Sequence, residues 1–239
     1  MTVPGYVSPD QLIQDRAEFA RKGIARGRSV VVCGCSQGLL FIAQNPSRML
    51  HKIGEIYDRI AFAGVGRYNE FETLRVAGIR YADLRGYSYH RADVTAHALA
   101  HVYAQTLGAV FTQDAKPFEV ELVVGEVGQT QESDQIYRLG YDGSVADEPG
   151  HVVIGGDAEP LARRLAQGWA PGMTLEAALG LGMAVLAAGG PDHPDTSEAK
   201  AARPPAEHVE VALLDRSRQR RRFRRLGAEE VRSRLSPPL

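Results

Sequence analysis

Residues 6–32 read YVSPDQLIQDRAEFARKGIARGRSVVV, a helix laid in front of a strand. Ser8 is a helix-capping residue, Pro9 suits the first helical position, and Gln11 follows Ser8 at capping-box spacing. Ile13, Ala17, Ala20 and Ile24 keep one face of a 3.6-residue period, with Leu12 beside them. Lys22 and Gly23 read as an ending, and Ser29–Val32 opens a β-branched strand. The stretch predicts a helix over 8–24, about four turns long, ahead of the first strand.

Downstream, Ser29–Cys35 and Gly38–Gln44 read as a hairpin turned at Ser36, Gln37 and Gly38. Leu50–Ile56 is weakly extended, and Arg59–Gly64 is an apolar strand ending in a Gly64-Val-Gly66 turn. Tyr68–Ala82 reads as a helix with Phe71, Leu74 and Gly78 on one side, interrupted by Gly86. Asp93 is expected to open a second, longer helix to about Phe111, with Leu99, Val102, Thr106 and Val110 in register. Strands follow at Phe118–Val127, Gln135–Tyr141 and Val152–Ile154, with a turn at Asp142-Gly143. A helix over 157–167 comes next, then one capped by Thr174 with Glu176 in its first turn. Residues 189–207 lack a core-forming pattern and read as a mobile loop. His208–Asp215 alternates as a strand, and Arg220–Leu226 is its expected hairpin partner. Strands and helices thus come in blocks. That order predicts an α+β fold, a four-layer αββα sandwich of two antiparallel sheets flanked by helix pairs, over one domain spanning 1–239.

The 239 residues suffice for a full core, and 28 basic against 29 acidic residues give no global pull towards nucleic acid or an acidic membrane. Neither a signal peptide nor a run of about 18 apolar residues is visible, so the expected compartment is the cytoplasm. Cys33 and Cys35 lie two apart on one strand and read as buried thiols on the same side of it, which also suits a reducing compartment.

Few groups suggest chemistry. His97 and His101 share a helix face in HALAH, but the glutamate of the metalloprotease motif and a third ligand are missing, so they read as surface histidines and no metal is expected. Arg216, Arg218, Arg220, Arg221, Arg222, Arg224 and Arg225 crowd one segment. They read as a charged strand edge or an inter-subunit ion-pair surface, with nucleic-acid binding as the competing reading. Gly64-Val-Gly66 and Gly155-Gly156 match no phosphate-binding motif, and no cofactor is expected. Asp10, Asp58, Glu70, Asp83 and Asp93 are scattered, with Asp58-Arg59 read as a structural pair. Taken alone, Lys52 is a surface lysine.

Several motifs recur in a familiar order: SPDQLIQDRAEFARKG at 8–23, NPSRMLHKIGEIYDRIAFAGVGRYNE at 45–70, YAQTLGAVFTQDAKPFEVELVVGEV at 103–127, IYRLGYDGSVADEPGHVVIGG at 136–156, and EVALLD at 210–215. Together they resemble the proteasome α-type subunits, in their actinobacterial version, across almost the whole chain. The resemblance implies the sandwich of the N-terminal-nucleophile hydrolases, in which a catalytic chain begins with its nucleophile and uses its own amine as base. The matching place here is Gly27-Arg28, with the whole opening helix ahead of it. Ser29 would need cleavage after Arg28, and Asn45 falls near the place of the acidic partner. The implied role is therefore non-catalytic.

The resemblance further implies a homo-heptameric outer ring on a proteasome β subunit, which carries the catalytic threonine, and passage of unfolded protein substrates through the ring. Met1, Thr2, Val3, Pro4, Gly5, Tyr6 and Val7 would form the gate tail, with Ser8, Pro9 and Asp10 at its root. Tyr6-Val7 lacks the tyrosine–aspartate pair of archaeal and eukaryotic relatives. Lys52, with Gly27 and Gly66, would dock the C-terminal carboxylate of a ring-shaped ATPase that delivers tagged proteins. The loop over 113–116 would face the antechamber. No nucleic-acid or membrane partner is expected. The competing functions are a self-processing amidohydrolase acting through Ser29, and an arginine-rich nucleic-acid-binding protein.

Overall fold

The computed structural model describes residues 8–47, 49–156, 158–189 and 204–235. Helix α1 (Pro9–Ala25) precedes a hairpin of β1 (Val30–Cys35) and β2 (Gly38–Gln44). Next come β3 (Ile53–Tyr57), β4 (Ile60–Gly66), α2 (Tyr68–Ser88) and α3 (Ala96–Gln113). Then follow β5 (Val120–Glu126), β6 (Gln135–Leu139), β7 (Val145–Asp147) and β8 (His151–Ile154). Helices α4 (Ala158–Gly168) and α5 (Leu175–Ala187), strands β9 (Val209–Asp215) and β10 (Phe223–Leu226), and α6 (Ala228–Leu235) complete the described chain.

The strands form two five-stranded antiparallel sheets, ordered β10-β9-β2-β1-β8 and β3-β4-β5-β6-β7. Helices α4 and α5 lie on the outer face of the first sheet, and α2 and α3 on that of the second. This is the αββα sandwich that the block order predicts. Side chains in a strand alternate between faces, so a strand covered on both sides must be apolar throughout. Strand β1, VVVCGC, meets that condition, and every residue in it is buried. Val30 and Val32 enter the layer between the sheets with Phe41, Ala63, Val123 and Leu214. Val31, Cys33 and Cys35 face α5 with Leu40, Ile42, Leu179 and Met183. The two thiols are free, buried and on one face, as the sequence predicts. Burial, with the neighbouring Cys35, pushes the Cys33 thiol up to about 12.

Several expectations are corrected. Helix α1 runs past Gly23 to Ala25, and only half of its capping box forms. The Gln11 amide donates to Ser8 Oγ at 3.2 Å, but the Gln11 side chain turns forward to Asp15 at 2.8 Å. Helix α2 continues through Gly86, because the absent side chain leaves room for the Tyr57 hydroxyl, 2.2 Å from where a Cβ would sit. Asp93 ends a short 3-10 turn, and Thr95 caps α3, its Oγ1 accepting from the Ala98 amide at 3.2 Å. The buried face of α3 is Ala96, Leu99, Ala100, Tyr103, Leu107 and Phe111, rotated away from Val102, Thr106 and Val110. Strand β7, three residues at a sheet edge, carries too short a pattern to read. Asp58 pairs with Arg91 at 2.6 Å and Arg59 with Glu126 at 2.6 Å, because adjacent residues on a turn diverge towards different elements. Most of the expected loop over 189–207 lies outside the described residues; Ala206–His208 form a 3-10 turn before β9.

A candidate carboxylate-docking site beside the first strand

The start of β1 is where the family resemblance would place the nucleophile of a catalytic chain. Ser29 is buried there and peptide-bonded to Arg28, with α1 anchored ahead of it by the buried Ala20 and Ile24. Asn45 has no free capacity to act as a proton relay. Its Nδ2 donates to the Leu50 carbonyl at 2.6 Å and to Glu210 at 3.0 Å, and its Oδ1 accepts from the Ser47 amide at 3.1 Å.

Close by, the structure brings Lys52, Gly27 and Gly66 together. Gly27 follows α1 and donates to the Ile24 carbonyl at 2.8 Å. A Cβ on Gly27 would lie 2.4 Å from Val65 Cγ1 and 3.1 Å from the Gly66 nitrogen, so the backbones touch because no side chain separates them. Gly66 ends β4 with φ 109°, and a Cβ there would meet the Glu119 carbonyl oxygen at 1.9 Å. Lys52 reaches across from the entry to β3, and its Nζ donates to the Arg28 carbonyl at 2.5 Å. Among the described residues no carboxylate pairs with that ammonium. Burial first, then the Arg28 charge, pull Lys52 down to about 8, while Glu210 acts in the opposite direction. An ammonium and a guanidinium thus flank a stretch of exposed backbone with no anion of their own, the composition that accepts a carboxylate.

Sequence reasoning missed Glu210, which organises this corner. Its side chain is 8% exposed. It accepts from the Lys52 amide at 2.8 Å, the Ile53 amide at 3.3 Å and Asn45 Nδ2 at 3.0 Å, and pairs with Arg225 and His51. A signal existed: in HVEVALLD, Glu210 shares parity with Ala212 and Leu214, which face the opposing sheet. A charge on the inward parity of a strand needs partners, and here they are the backbone of the other sheet's edge. Arg28, the second cation at the site, carried no readable pattern.

The other singled-out residues lie elsewhere. Ser8, Pro9 and Asp10 are exposed at the start of α1, and residues 1–7 lie outside the described residues. Lys116 of the loop over 113–116 is bound to Glu70 and Glu119 at 2.6 and 2.9 Å. His97 sits edge-on to the Tyr137 ring at 5.9 Å, and His101 shares a hydrogen bond with Gln105 at 3.2 Å. Among the described residues no group of three or more His, Cys, Asp or Glu is placed to hold a metal ion. Among them too, no helix is long and apolar enough to cross a membrane. The arginine segment folds back on its own chain. Arg216 pairs with Asp134 at 2.7 Å, Arg221 with Glu55 at 3.1 Å, Arg224 with Glu230 at 2.9 Å, and Arg225 with Glu210. Arg222 donates to the carbonyls of Val127 and Gly128 at 3.2 Å each. These pairings neutralise most of the charge that a nucleic-acid surface would present.

Comparison with known proteins agrees with this architecture. The family model described as proteasome subunit matches residues 24–198. A proteasome subunit alpha of Xylanimonas cellulosilytica is 64% identical over 238 residues, covering 99% of this chain and 98% of its own length. That of Sanguibacter keddieii is 60% identical, covering 100% of this chain and 91% of its own. That of Kineococcus radiotolerans is 58% identical, covering 95% of each. The sandwich, the helix ahead of its first strand and these likenesses lead to one conclusion: the chain belongs to the proteasome subunit family, with the alpha subunits of actinobacteria as its relatives.

Proposed function

We propose that this chain is a non-catalytic structural and gating subunit of the proteasome core particle. In this reading seven copies close into an outer ring in the cytoplasm. Residues 1–7 of each copy converge on the axial pore, with Ser8, Pro9 and Asp10 at the root of the gate. A β subunit supplies the catalytic threonine. A ring-shaped ATPase docks by inserting a C-terminal carboxylate at Lys52, Gly27 and Gly66, and unfolded tagged proteins pass through. The observation that carries this reading is the Lys52 ammonium, bonded to the Arg28 carbonyl with no carboxylate partner among the described residues, next to the touching backbones of Gly27 and Gly66. The helix that persists ahead of a buried Ser29 supports the non-catalytic role.

The test is Lys52→Ala in particles co-assembled with the β subunit. Ring assembly by native mass spectrometry and hydrolysis of short peptides stay as they are, while ATPase-dependent protein degradation falls by about tenfold or more, a loss of about 1.4 kcal/mol in docking. Unchanged degradation overturns the docking assignment. A peptidase species of the purified chain that begins at Ser29 and loses activity on Ser29→Ala overturns the non-catalytic one.

A further inference from the structure

We infer that Glu210 is the positioning residue of this site: its carboxylate, reaching from one sheet, holds the backbone of Lys52 at the edge of the other sheet and so aims the ammonium at the docking groove. The inference rests on the docking reading for its functional consequence only. Strand β3 is a sheet edge, where the first amides have no neighbouring strand to receive them. Glu210 of β9 takes the place of that strand, accepting from the amides of Lys52 at 2.8 Å and Ile53 at 3.3 Å. Arg225 closes the clasp from β10, binding the Glu210 carboxylate and donating to the Ile53 carbonyl at 2.6 Å. Asn45, on the segment that leads into β3, donates from Nδ2 at 3.0 Å to Oε2, the oxygen that also accepts from the Lys52 amide. The carboxylate is therefore committed to the lysine's main chain, and the ammonium is left to the Arg28 carbonyl and to an incoming anion.

The charged groups around Lys52 are Arg28 after α1, His51 beside it, Glu210 on β9 and Arg225 on β10. Of these, Glu210 is the one that favours the charged lysine. Replacing it with a neutral amide then has two consequences that loss of mere packing would not have. The Lys52 titration moves to lower pH, and because glutamine keeps only one accepting oxygen, one of the two amides, Lys52 or Ile53, loses its acceptor.

The experiment follows the ε-carbon resonance of Lys52 in the full-length chain, assigned with Lys52→Arg, together with amide exchange. In Glu210→Gln the Lys52 midpoint falls by about half a pH unit. One of the two amides, of residue 52 or residue 53, exchanges about tenfold faster. Should that variant fail to fold, Glu210→Asp retains the charge but is one methylene too short. It raises the exchange of the two amides and leaves the lysine titration nearly in place. In assembled particles, ATPase-dependent degradation by Glu210→Gln falls relative to the unsubstituted particle at both pH 6.5 and pH 8, and about twofold further at pH 8, where the lowered midpoint also uncharges part of the lysine. A midpoint and exchange rates unchanged in whichever variant folds overturn the inference, as does undiminished degradation by Glu210→Gln at both pH values in particles that Lys52→Ala disables. So does finding that the amides of residues 52 and 53 in the unsubstituted chain exchange as fast as those of an exposed loop. If Lys52→Ala leaves degradation unchanged, the docking reading falls while the clasp is still decided by the resonance data. If Lys52→Ala abolishes degradation and Glu210→Gln moves neither reading, only the clasp falls.

Discussion

Two lysines in this molecule stand near largely buried glutamates, and they are used in opposite ways. At Lys116 the carboxylates of Glu70 and Glu119 bind the ammonium itself, at 2.6 and 2.9 Å. Burial pulls that lysine down, but the two hydrogen bonds outweigh it and hold it above the usual lysine range. At Lys52 the nearby carboxylate, Glu210, is spent on main-chain amides, and the ammonium faces a carbonyl and a guanidinium charge. A lysine whose charge is matched within its own chain is a strut. One that is desolvated without an anion has a reason to bind one from outside.

The contrast can be broken by making the two lysines equivalent. On the docking reading, Lys52→Met should lower the affinity of the assembled particle for an ATPase by about tenfold, whereas Lys116→Met should leave it unchanged. Surface binding assays on both variants check this, and equal losses would erase the distinction. For stability the order reverses. Lys116→Met removes the nearest cation from two carboxylates that are 12% and 11% exposed, leaving them Arg67 at 3.9 and 3.6 Å and, for Glu70, the Glu119 amide. It should cost about 2 kcal/mol in urea denaturation.

Lys52→Met should do the opposite, and the sign follows from linkage. The folded-state value of about 8 lies below the usual 10.5, so the folded chain carries the cost of a half-desolvated ammonium below pH 8. That cost shrinks as pH rises from 8 towards 10.5, because the folded state sheds its proton first. Lys52→Met should therefore stabilise the chain by about 1 kcal/mol at pH 7, discounted for partial exposure, with the gain vanishing near pH 10.5. Denaturation at the two pH values checks it. A destabilised variant at pH 7 would mean that the Arg28 hydrogen bond outweighs burial.

Much of the fold was legible because it depends on local chemistry and period. Ser8 and Thr174 cap helices where hydroxyl chemistry says they should, and the continuous apolar run of β1 marks a strand buried on both faces. The failures came where a tertiary partner overrode local preference. Gly86 breaks nothing because the Tyr57 hydroxyl occupies the space beside it, and the register of α3 is set by the sheet beneath it. Within the site, Lys52, Gly27 and Gly66 were singled out through the family resemblance, since their own residue types say little. Glu210 was overlooked although its inward parity was visible, because nothing in a strand's alternation says which distant amides a carboxylate will meet.

By itself the sequence determined the block order of strands and helices, the helix ahead of the first strand and the buried pair of thiols. These follow from residue type and spacing along the chain. Only the tertiary structure decided that, among the described residues, Lys52 lacks a carboxylate and Lys116 has two, and that much of an arginine-rich segment is spent on internal pairs. Glu210 and Lys52 are 158 residues apart in sequence, and which charges meet depends on how two sheets stack. Electrostatic energy depends on distance in space, which the order of residues does not encode pair by pair.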